Sequence, residues 1–400
     1  MPAAANGRAY LAIPGPSVLP DRVLAAMMRP SPNIYAGDLV AMVEGLWPDL
    51  QALAGTKGHV AAYICNGHGA WEAANSNLFC RDDTALVLAT GVFGHGWAST
   101  ARGLGVDVQV LEFGGSAPAD PMQVEAALRA DPAIRAVLMT HVDTASSVKS
   151  DVQAVRAAID AVGHDALLAV DCVASLGCDA FRMDDWGVDV MLGASQKGLM
   201  CPPGMGFVWF NDKALWASAK SNLRTPYWDW TLRAGPEEFW QYWFGTAPTT
   251  HLYALRESLT MILHEEGLQN VWARHATLAR AVWAAFEAWG EANPNIRLTV
   301  PNAAARGHSV TAARIGTPDA TRLRIWCEAQ AGVTLGIGLG AATEADPEAT
   351  GALRIAHMGH VNAHMTLGAL AVMEAGLTAL TIPHGTGALN AATAEIARGV

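Results

Sequence analysis

Seven short apolar runs that alternate with helical stretches constrain the fold of this chain more than any other feature of its sequence. They lie between Ile34 and about Leu255 and are bounded by Gly, Asp or Pro. The runs are His59–Cys65, Thr84–Ala89, Asp107–Glu112, Ala136–Thr140, Ala166–Val170, Val188–Leu192 and Gly206–Phe210. Continuous Val, Leu, Ile and Ala runs are typical of strands covered on both faces. The sequence therefore predicts an α/β fold with a mostly parallel seven-stranded sheet covered by helices.

A length of 400 residues favours two domains over one ordinary core. We expect an N-terminal arm (1–21), a large domain (22–265) and a small C-terminal domain (266–400). After Gly267 the pattern changes to helix, strand, helix, strand and helix, which predicts a small α+β domain. The segment Tyr227–Trp243 is rich in tryptophan, and we interpret it as a buried interface.

Composition excludes several classes of function. Hydrophobic residues make up 51% of the chain and charged residues 16%, which argues against disorder. The net charge is −11 with scattered Lys and Arg, so neither nucleic acid nor an anionic membrane is an expected partner. The six cysteines show no metal-site spacing, and we expect no metal. With no secretory signal and no long apolar run, a reducing cytoplasm is the expected location.

A lysine and an aspartate follow two of the predicted strands. Lys197 stands on a short loop after the run that ends at Gly193, at the edge of a parallel sheet where such folds bind ligands. Asp171 closes the run Ala166–Val170, where a carboxylate is costly without a cationic partner. A lone lysine here would be a solvated loop residue, and a lone aspartate a metal ligand or helix cap. One cofactor that bridges a Schiff-base lysine and an aspartate explains both.

Three further strand exits carry residues that suit a phosphorylated, flat cofactor. Asn66, Gly67 and His68 begin a helix whose free N–H groups would hold a phosphate. Phe93 could stack on a ring, and Thr144 could bond to a phenolate. Seen singly, each exit is ordinary turn chemistry.

Together these residues resemble the class V, fold-type I aminotransferases that use pyridoxal phosphate (PLP), in the alanine/serine–glyoxylate aminotransferase group. The specific part is the spacing from Asp171 to Lys197 with Pro202-Pro203-Gly204 downstream. The similarity covers nearly the whole chain. The other matching segments are Ile13–Ser17, Gly67-His68 with Glu72, His141–Thr144 (resembling H-x-E-[ST]), Asp171–Gly177 (resembling D-x-V-[AS]-S-x-G), Leu252–Ser258 and Leu353–Gly359.

The resemblance implies a role for each matching residue. Lys197 would carry PLP covalently and move the Cα proton, and Asp171 would bind the pyridine nitrogen. Arg354 would clamp the substrate carboxylate, although a surface arginine near a strand end is the plain alternative. The remaining cofactor contacts would be Val173 and Phe93 at the two ring faces, Thr144 at the ring oxygen, and Asn66, Gly67, His68 and Gln196 at the phosphate.

The resemblance also implies a homodimer with a shared active site. Thr246 would reach the phosphate from the neighbouring subunit, and Asn33 and Tyr35 would face the substrate across the dimer. The segment Pro32–Tyr35 departs from the family pattern, as do Trp243, which replaces a tyrosine, and Asn66, which replaces a small hydroxyl residue. These differences bear on substrate identity more than on cofactor binding.

The implied reaction is transamination between a small amino acid (serine, alanine or aspartate) and glyoxylate or pyruvate. The alternative is a PLP-dependent lyase, such as a cysteine desulfurase or a kynureninase-like enzyme. A desulfurase needs a mobile cysteine, and Cys327 is the candidate, but Arg322–Ala329 reads as an amphipathic helix in which a thiol is packed. A non-enzymatic binding module would be expected to lose the lysine or to gain a basic DNA-binding segment.

Overall fold

The protein is described by a computed structural model that covers residues 4–399. The strands of this part of the chain are β1 (Tyr10–Ala12), β2 (His59–Tyr63), β3 (Thr84–Ala89), β4 (Asp107–Glu112), β5 (Ile134–Thr140), β6 (Leu167–Asp171), β7 (Val190–Ala194), β8 (Gly206–Phe210), β9 (Arg297–Leu298), β10 (Val310–Arg314), β11 (Val333–Ile337) and β12 (Ala352–Ala356).

Helices surround these strands. In chain order the α-helices of residues 4–399 are α1 (Asp21–Met27), α2 (Asp38–Glu44), α3 (Leu46–Ala54), α4 (Gly67–Leu78), α5 (Val92–Gly103), α6 (Pro121–Ala130), α7 (Val152–Ala161), α8 (Asp212–Ser218), α9 (Trp230–Ala234), α10 (Thr249–Leu259), α11 (Leu268–Gly290), α12 (Asp319–Ala331), α13 (Ala363–Ala379) and α14 (Ala388–Arg398). Short 3₁₀ turns span Phe239–Tyr242 and Ala303–Ala305, and a π-helix spans Thr260–Glu266. Each of these helices is too short or too polar to span a bilayer.

The described residues form a large sheet in the order β2-β8-β7-β6-β5-β3-β4. Only β8 runs against its neighbours, so the carboxyl ends of the other strands meet at one edge. The mostly parallel seven-stranded sheet predicted from the sequence is confirmed. Both faces are covered, because Leu86 and Leu88 pack with Leu128 of α6 on one side, and Val87 packs with Trp71 of α4 on the other.

Local sequence explains where the covering helices begin. Asp120 accepts a hydrogen bond from the N–H of Met122 and is followed by a proline, which suits the first turn of α6. Asp151 caps α7 by accepting from the N–H of Ala154. Asn66 caps α4 in the same way, and this cap bears directly on the site described below.

The strand before the lysine differs from its prediction. β7 runs two residues later than expected, so Gly193 lies within the strand and does not end it. A Cβ at Gly193 would lie 2.6 Å from a methyl carbon of Leu176. The glycine is therefore needed for close packing of the strand against the turn that follows Asp171.

The second sheet of the described residues has the order β1-β11-β12-β10-β9. It contains four strands after Gly267, two more than the sequence pattern predicted. The glycines between Gly332 and Gly340 interrupt the apolar run and hide β11. β1, from the expected N-terminal arm, pairs in parallel with β11 at the sheet edge. The boundaries proposed for the arm and the two domains remain a prediction.

Candidate active site

A cavity of about 550 Å³ lies between the carboxyl ends of the large-sheet strands and strands β11 and β12 of the second sheet. Its large-domain side is lined by Phe93, Thr144, Asp171, Val173 and Lys197, and its floor by Asn66, Gly67, His68 and Gln196. Its small-domain side is lined by Arg324, Thr334, Leu335, Gly336, Ile337 and Arg354. The arm residues Ile13–Pro16 close one edge. This is the edge of the sheet at which such folds hold ligands.

Lys197 lies on the loop after β7 and is only 8% exposed. Its Nζ donates to the carbonyl oxygen of Pro14 and to Thr144 Oγ1, the latter at 3.4 Å. Burial, and next to it the charge of Arg354, lowers the pKa of the amine to about 7. Burial therefore favours the neutral, nucleophilic form of the amine near neutral pH.

The N-terminal arm confines this amine. Gly15 has φ +109°, and a Cβ there would lie 2.8 Å from Lys197 Cε, so only glycine fits. Ser17 donates its hydroxyl to the carbonyl oxygen of Lys197 at 2.7 Å and its N–H to that of Gln196 at 2.9 Å. The segment Ile13–Ser17 was among those that resemble the family, but the sequence did not indicate that Pro14 accepts from the lysine.

Asp171 is the last residue of β6 and is 4% exposed. Its Oδ1 accepts from the N–H of Val173 at 2.7 Å, and its Oδ2 accepts from the indole N–H of Trp71 at 2.8 Å. Burial raises the pKa of the carboxyl to about 6, against the smaller lowering effect of those two donors. Asp171 and Lys197 thus face one cavity, each with a pKa close to neutrality.

Sequence reasoning did not assign roles to Trp71 or Asp143. Asp143 is fully buried and accepts from the N–H groups of Phe93 and Ala145, both at 2.9 Å. Its carboxylate therefore ties the Phe93 turn to the Thr144 turn, and burial raises its pKa. The sequence did contain one indication of Asp143, because it is the acidic residue of the segment His141–Thr144 that resembles H-x-E-[ST]. No pattern marked Trp71, because a tryptophan in a helix is ordinary core.

The glycine-led turn at the start of α4 is partly occupied by its own cap. Asn66 Oδ1 accepts from the N–H groups of His68 and Gly69, at 3.1 and 3.3 Å. The sequence predicted that the N–H groups of this turn are free, and for these two donors that prediction is wrong. A Cβ at Gly67 would lie 3.0 Å from Val173, which explains the glycine. On the same floor, Gln196 Oε1 is buried and has no hydrogen-bond partner among residues 4–399.

Arg354 lies on β12 and is 7% exposed. Its Nε donates to the carbonyl oxygen of Ile337 at 2.8 Å and its Nη1 to that of Thr144 at 2.9 Å. Burial lowers its pKa to about 10, so the guanidinium stays charged at neutral pH. It is not the surface arginine of the plain alternative.

Three predicted site residues lie outside the cavity of the single chain. Asn33, Tyr35 and Thr246 are exposed, Tyr35 by 87%. Their prediction concerned a neighbouring subunit, and it remains a prediction. Trp243, by contrast, is buried against Trp47, with ring centroids 6.0 Å apart, and does not line the cavity.

Cys327 does not suit the role of a mobile nucleophile. It is fully buried in the core of the small domain, on α12, and burial raises the pKa of its thiol to about 12. A thiolate is the nucleophilic form, so this cysteine is inert near neutral pH. The cavity lining contains no cysteine among the described residues.

Comparison with known proteins identifies similar chains across this whole length. The family model Aminotransferase class-V matches residues 49–364. A serine–glyoxylate aminotransferase of Methylorubrum extorquens is 38% identical, covering 93% of this chain and 91% of that protein. An L-aspartate–glyoxylate aminotransferase of Paracoccus denitrificans is 35% identical, covering 96% and 94%. The crystal structure of a ureidoglycine–glyoxylate aminotransferase from Bacillus subtilis matches with a TM-score of 0.87 and 26% identity, covering 98% and 99%.

Proposed function

This chain belongs to the class-V aminotransferases, in the alanine/serine–glyoxylate group, and we propose that its cavity binds PLP and transfers an amino group from serine, alanine or aspartate to glyoxylate or pyruvate. The predicted family, the fold-type I architecture and the aminotransferase class are confirmed by the matches reported above. The family depends on PLP in general. The cofactor, the site roles and the assembly of this chain are proposals.

One observation carries the proposal: a buried amine and a buried carboxylate, on Lys197 and Asp171, face the same cavity. Their chemistry fits the two ends of PLP, an aldehyde that needs a neutral amine and a pyridine nitrogen that needs an anion. The partnerless amide oxygen of Gln196 lies buried in the same cavity lining, where the amide could turn its N–H₂ toward a phosphate. When bound, PLP supplies a carbonyl that takes up the amino group and a ring that accepts electrons released at Cα.

Lys197 holds and moves the proton in this scheme. With a pKa near 7, its Nζ is neutral often enough to accept a proton from the substrate Cα and acidic enough to return one. Pro14 and Thr144 hold the amine in place through their oxygen atoms. The arm residues Ile13–Pro16 close one edge of the cavity, and the lysine is only 8% exposed, which limits the access of water to this amine.

Asp171 and Arg354 orient the two reacting partners. Asp171, fixed by Val173 and Trp71, presents a carboxylate that becomes fully ionised once a cationic ring nitrogen lies beside it. Arg354, fixed by Ile337 and Thr144, presents its remaining N–H groups to a substrate carboxylate. Phe93 and Val173 border the space between them.

The test is a donor panel. Purified protein with added PLP should convert glyoxylate to glycine with serine, alanine or aspartate, and Lys197→Ala should abolish the reaction. Failure of every donor with both glyoxylate and pyruvate, at full PLP occupancy, would refute the proposed function.

We further propose a homodimer with shared active sites, located in a reducing cytoplasm. Asn33, Tyr35 and Thr246 are solvent-exposed in the single chain, which leaves them available to a second copy. All six cysteines are free thiols, as a reducing compartment requires. Sedimentation velocity should give a dimer, and Thr246→Ala should weaken PLP binding. A fully active monomer would contradict the shared site.

A further inference from the structure

A second arginine, Arg324, lines the same cavity as Arg354. It projects from α12, whose neighbouring residues Leu323 and Cys327 are fully buried in the small-domain core. The helix is therefore held firmly, and the half-buried side chain of Arg324 starts from a fixed position.

Both guanidiniums attach to strand β11. The Nε of Arg324 donates to the carbonyl oxygen of Leu335 at 3.3 Å, and the Nε of Arg354 donates to that of Ile337 at 2.8 Å. Carbonyl groups two residues apart on a strand are separated by about 7 Å. The two carbonyl groups that hold the guanidiniums are thus spaced along one strand by about the length of a small substrate.

Neither head has an anionic partner within the described chain. Among residues 4–399, the hydrogen bonds of both guanidiniums go only to carbonyl oxygens. The charge of Glu328, one helical turn after Arg324, raises the pKa of that arginine, and the charge of Asp143 raises the pKa of Arg354. Glu328 Oε1 accepts from the hydroxyl of Thr334 at 3.3 Å. Burial lowers the pKa of both arginines, so an anion supplied by a ligand would be stabilised at each head.

The rest of this wall is uncharged. Ile13, Leu335, Ile337 and Leu339 supply apolar surface, and Thr334 a hydroxyl. A monocarboxylic amino acid can engage one guanidinium and leaves the other without an anion. A dicarboxylic amino acid can engage both.

We propose that Arg324 binds the side-chain carboxylate of the amino donor, so that this site prefers aspartate, with two carboxylates on a four-carbon chain, over alanine and serine. This inference rests on the proposed function and names its donor class. Arg354 keeps the α-carboxylate, and Arg324 determines specificity.

The first test compares donors at saturating glyoxylate. We expect the kcat/KM of the holoenzyme to be at least about tenfold higher for aspartate than for alanine. Arg324→Gln should lower this ratio by about 10- to 100-fold, the loss of one charge-assisted hydrogen-bonded contact. Arg324→Lys should retain part of the preference, because it keeps the charge without the planar fork.

The matched control is Arg322→Gln. Arg322 lies on the same helix, is exposed and pairs with Asp319 at 2.7 Å, away from the cavity. The Arg322→Gln variant should leave the aspartate-to-alanine ratio of kcat/KM unchanged. An unchanged aspartate-to-alanine ratio in Arg324→Gln would overturn the inference while leaving transamination intact.

A binding measurement separates the inference from the proposed function. By calorimetry on the PLP-loaded protein, succinate should bind at least tenfold more tightly than butyrate, and Arg324→Gln should remove this difference. If no amino acid supports transamination, the proposed function fails. The difference in affinity between succinate and butyrate then still decides whether a second carboxylate site exists. Equal affinities for succinate and butyrate in the unsubstituted protein would refute a second carboxylate site at Arg324.

Discussion

The two walls of the cavity differ in how their polar groups are satisfied. On the large-domain wall (Thr144, Asp171, Val173 and Lys197), the amine and the carboxylate are buried, hydrogen-bonded within the chain and shifted in pKa toward neutrality. On the small-domain wall (Arg324, Thr334–Ile337 and Arg354), the charged groups keep N–H donors that no anion in the described chain occupies. We propose that the first wall moves protons and that the second recognises anions. Substitutions in the first should therefore lower kcat for every substrate, and substitutions in the second should change KM and substrate choice.

The largest effect should come from Lys197→Ala. Removing the group that we propose to bind PLP and to move the proton should lower kcat by about 10⁴-fold for all amino donors alike. Lys57→Ala, which alters an exposed lysine, is the control and should leave kcat unchanged. Steady-state rates with two donors provide the measurement. A donor-dependent loss would mean that the two walls are not separate in function.

Arg354→Lys should have the next largest effect. Lysine keeps the charge but cannot form two parallel hydrogen bonds with a carboxylate, so kcat/KM should fall by about 10²- to 10³-fold, mainly through KM. PLP binding, followed by the visible absorbance of the bound cofactor, should stay within about twofold. A fall in kcat with an unchanged KM would assign Arg354 to the proton-moving wall.

The pH dependence of PLP capture tests the amine on the large-domain wall. The pKa of Lys197 is lowered to about 7, so the neutral, reactive form increases as the pH rises through 7 and is nearly complete above 8. The rate of PLP capture should therefore rise by about 50-fold from pH 5 to 7 and level off above pH 8. Asp171→Asn removes a negative charge that raises the pKa of Lys197, so the same profile should shift to lower pH. A rate that keeps rising beyond pH 9 would indicate an ordinary lysine.

Trp71→Phe should have the smallest effect on this wall. The change removes the N–H that donates to Asp171, which raises the pKa of the carboxyl further and leaves it a poorer partner for a cationic ring. We expect PLP affinity to fall by about tenfold. Trp216→Phe, at an exposed tryptophan, is the control. Unchanged affinity at pH 7 would show that the indole only fills space.

The same division between walls explains how much the sequence could predict. The strand runs and the residues that close them, Asp171 above all, were readable because burial on both faces leaves continuous apolar segments. The fold was predicted correctly on this basis, and the family was predicted correctly from the resemblance of the segments around Asp171 and Lys197. The side chains of the small-domain wall were harder to predict from the sequence, because Arg324 lies in an ordinary helical pattern and β11 is interrupted by glycines.

Contacts between distant segments could not be read at all. The pairing of Lys197 with Pro14 joins residues 183 positions apart, and the pairing of Trp71 with Asp171 joins residues 100 apart. No local pattern records such a contact. The capping of α4 by Asn66 was missed for a different reason, since the sequence suggested free N–H groups and did not show that the amide itself would take them.

The account depends on PLP becoming attached to the amine of Lys197, and reduction of the PLP-loaded protein with borohydride, followed by digestion and mass spectrometry, tests this most directly. We expect one phosphopyridoxyl group per chain, on the peptide that contains Lys197. A label on any other lysine, or no label at full PLP occupancy, would contradict the account.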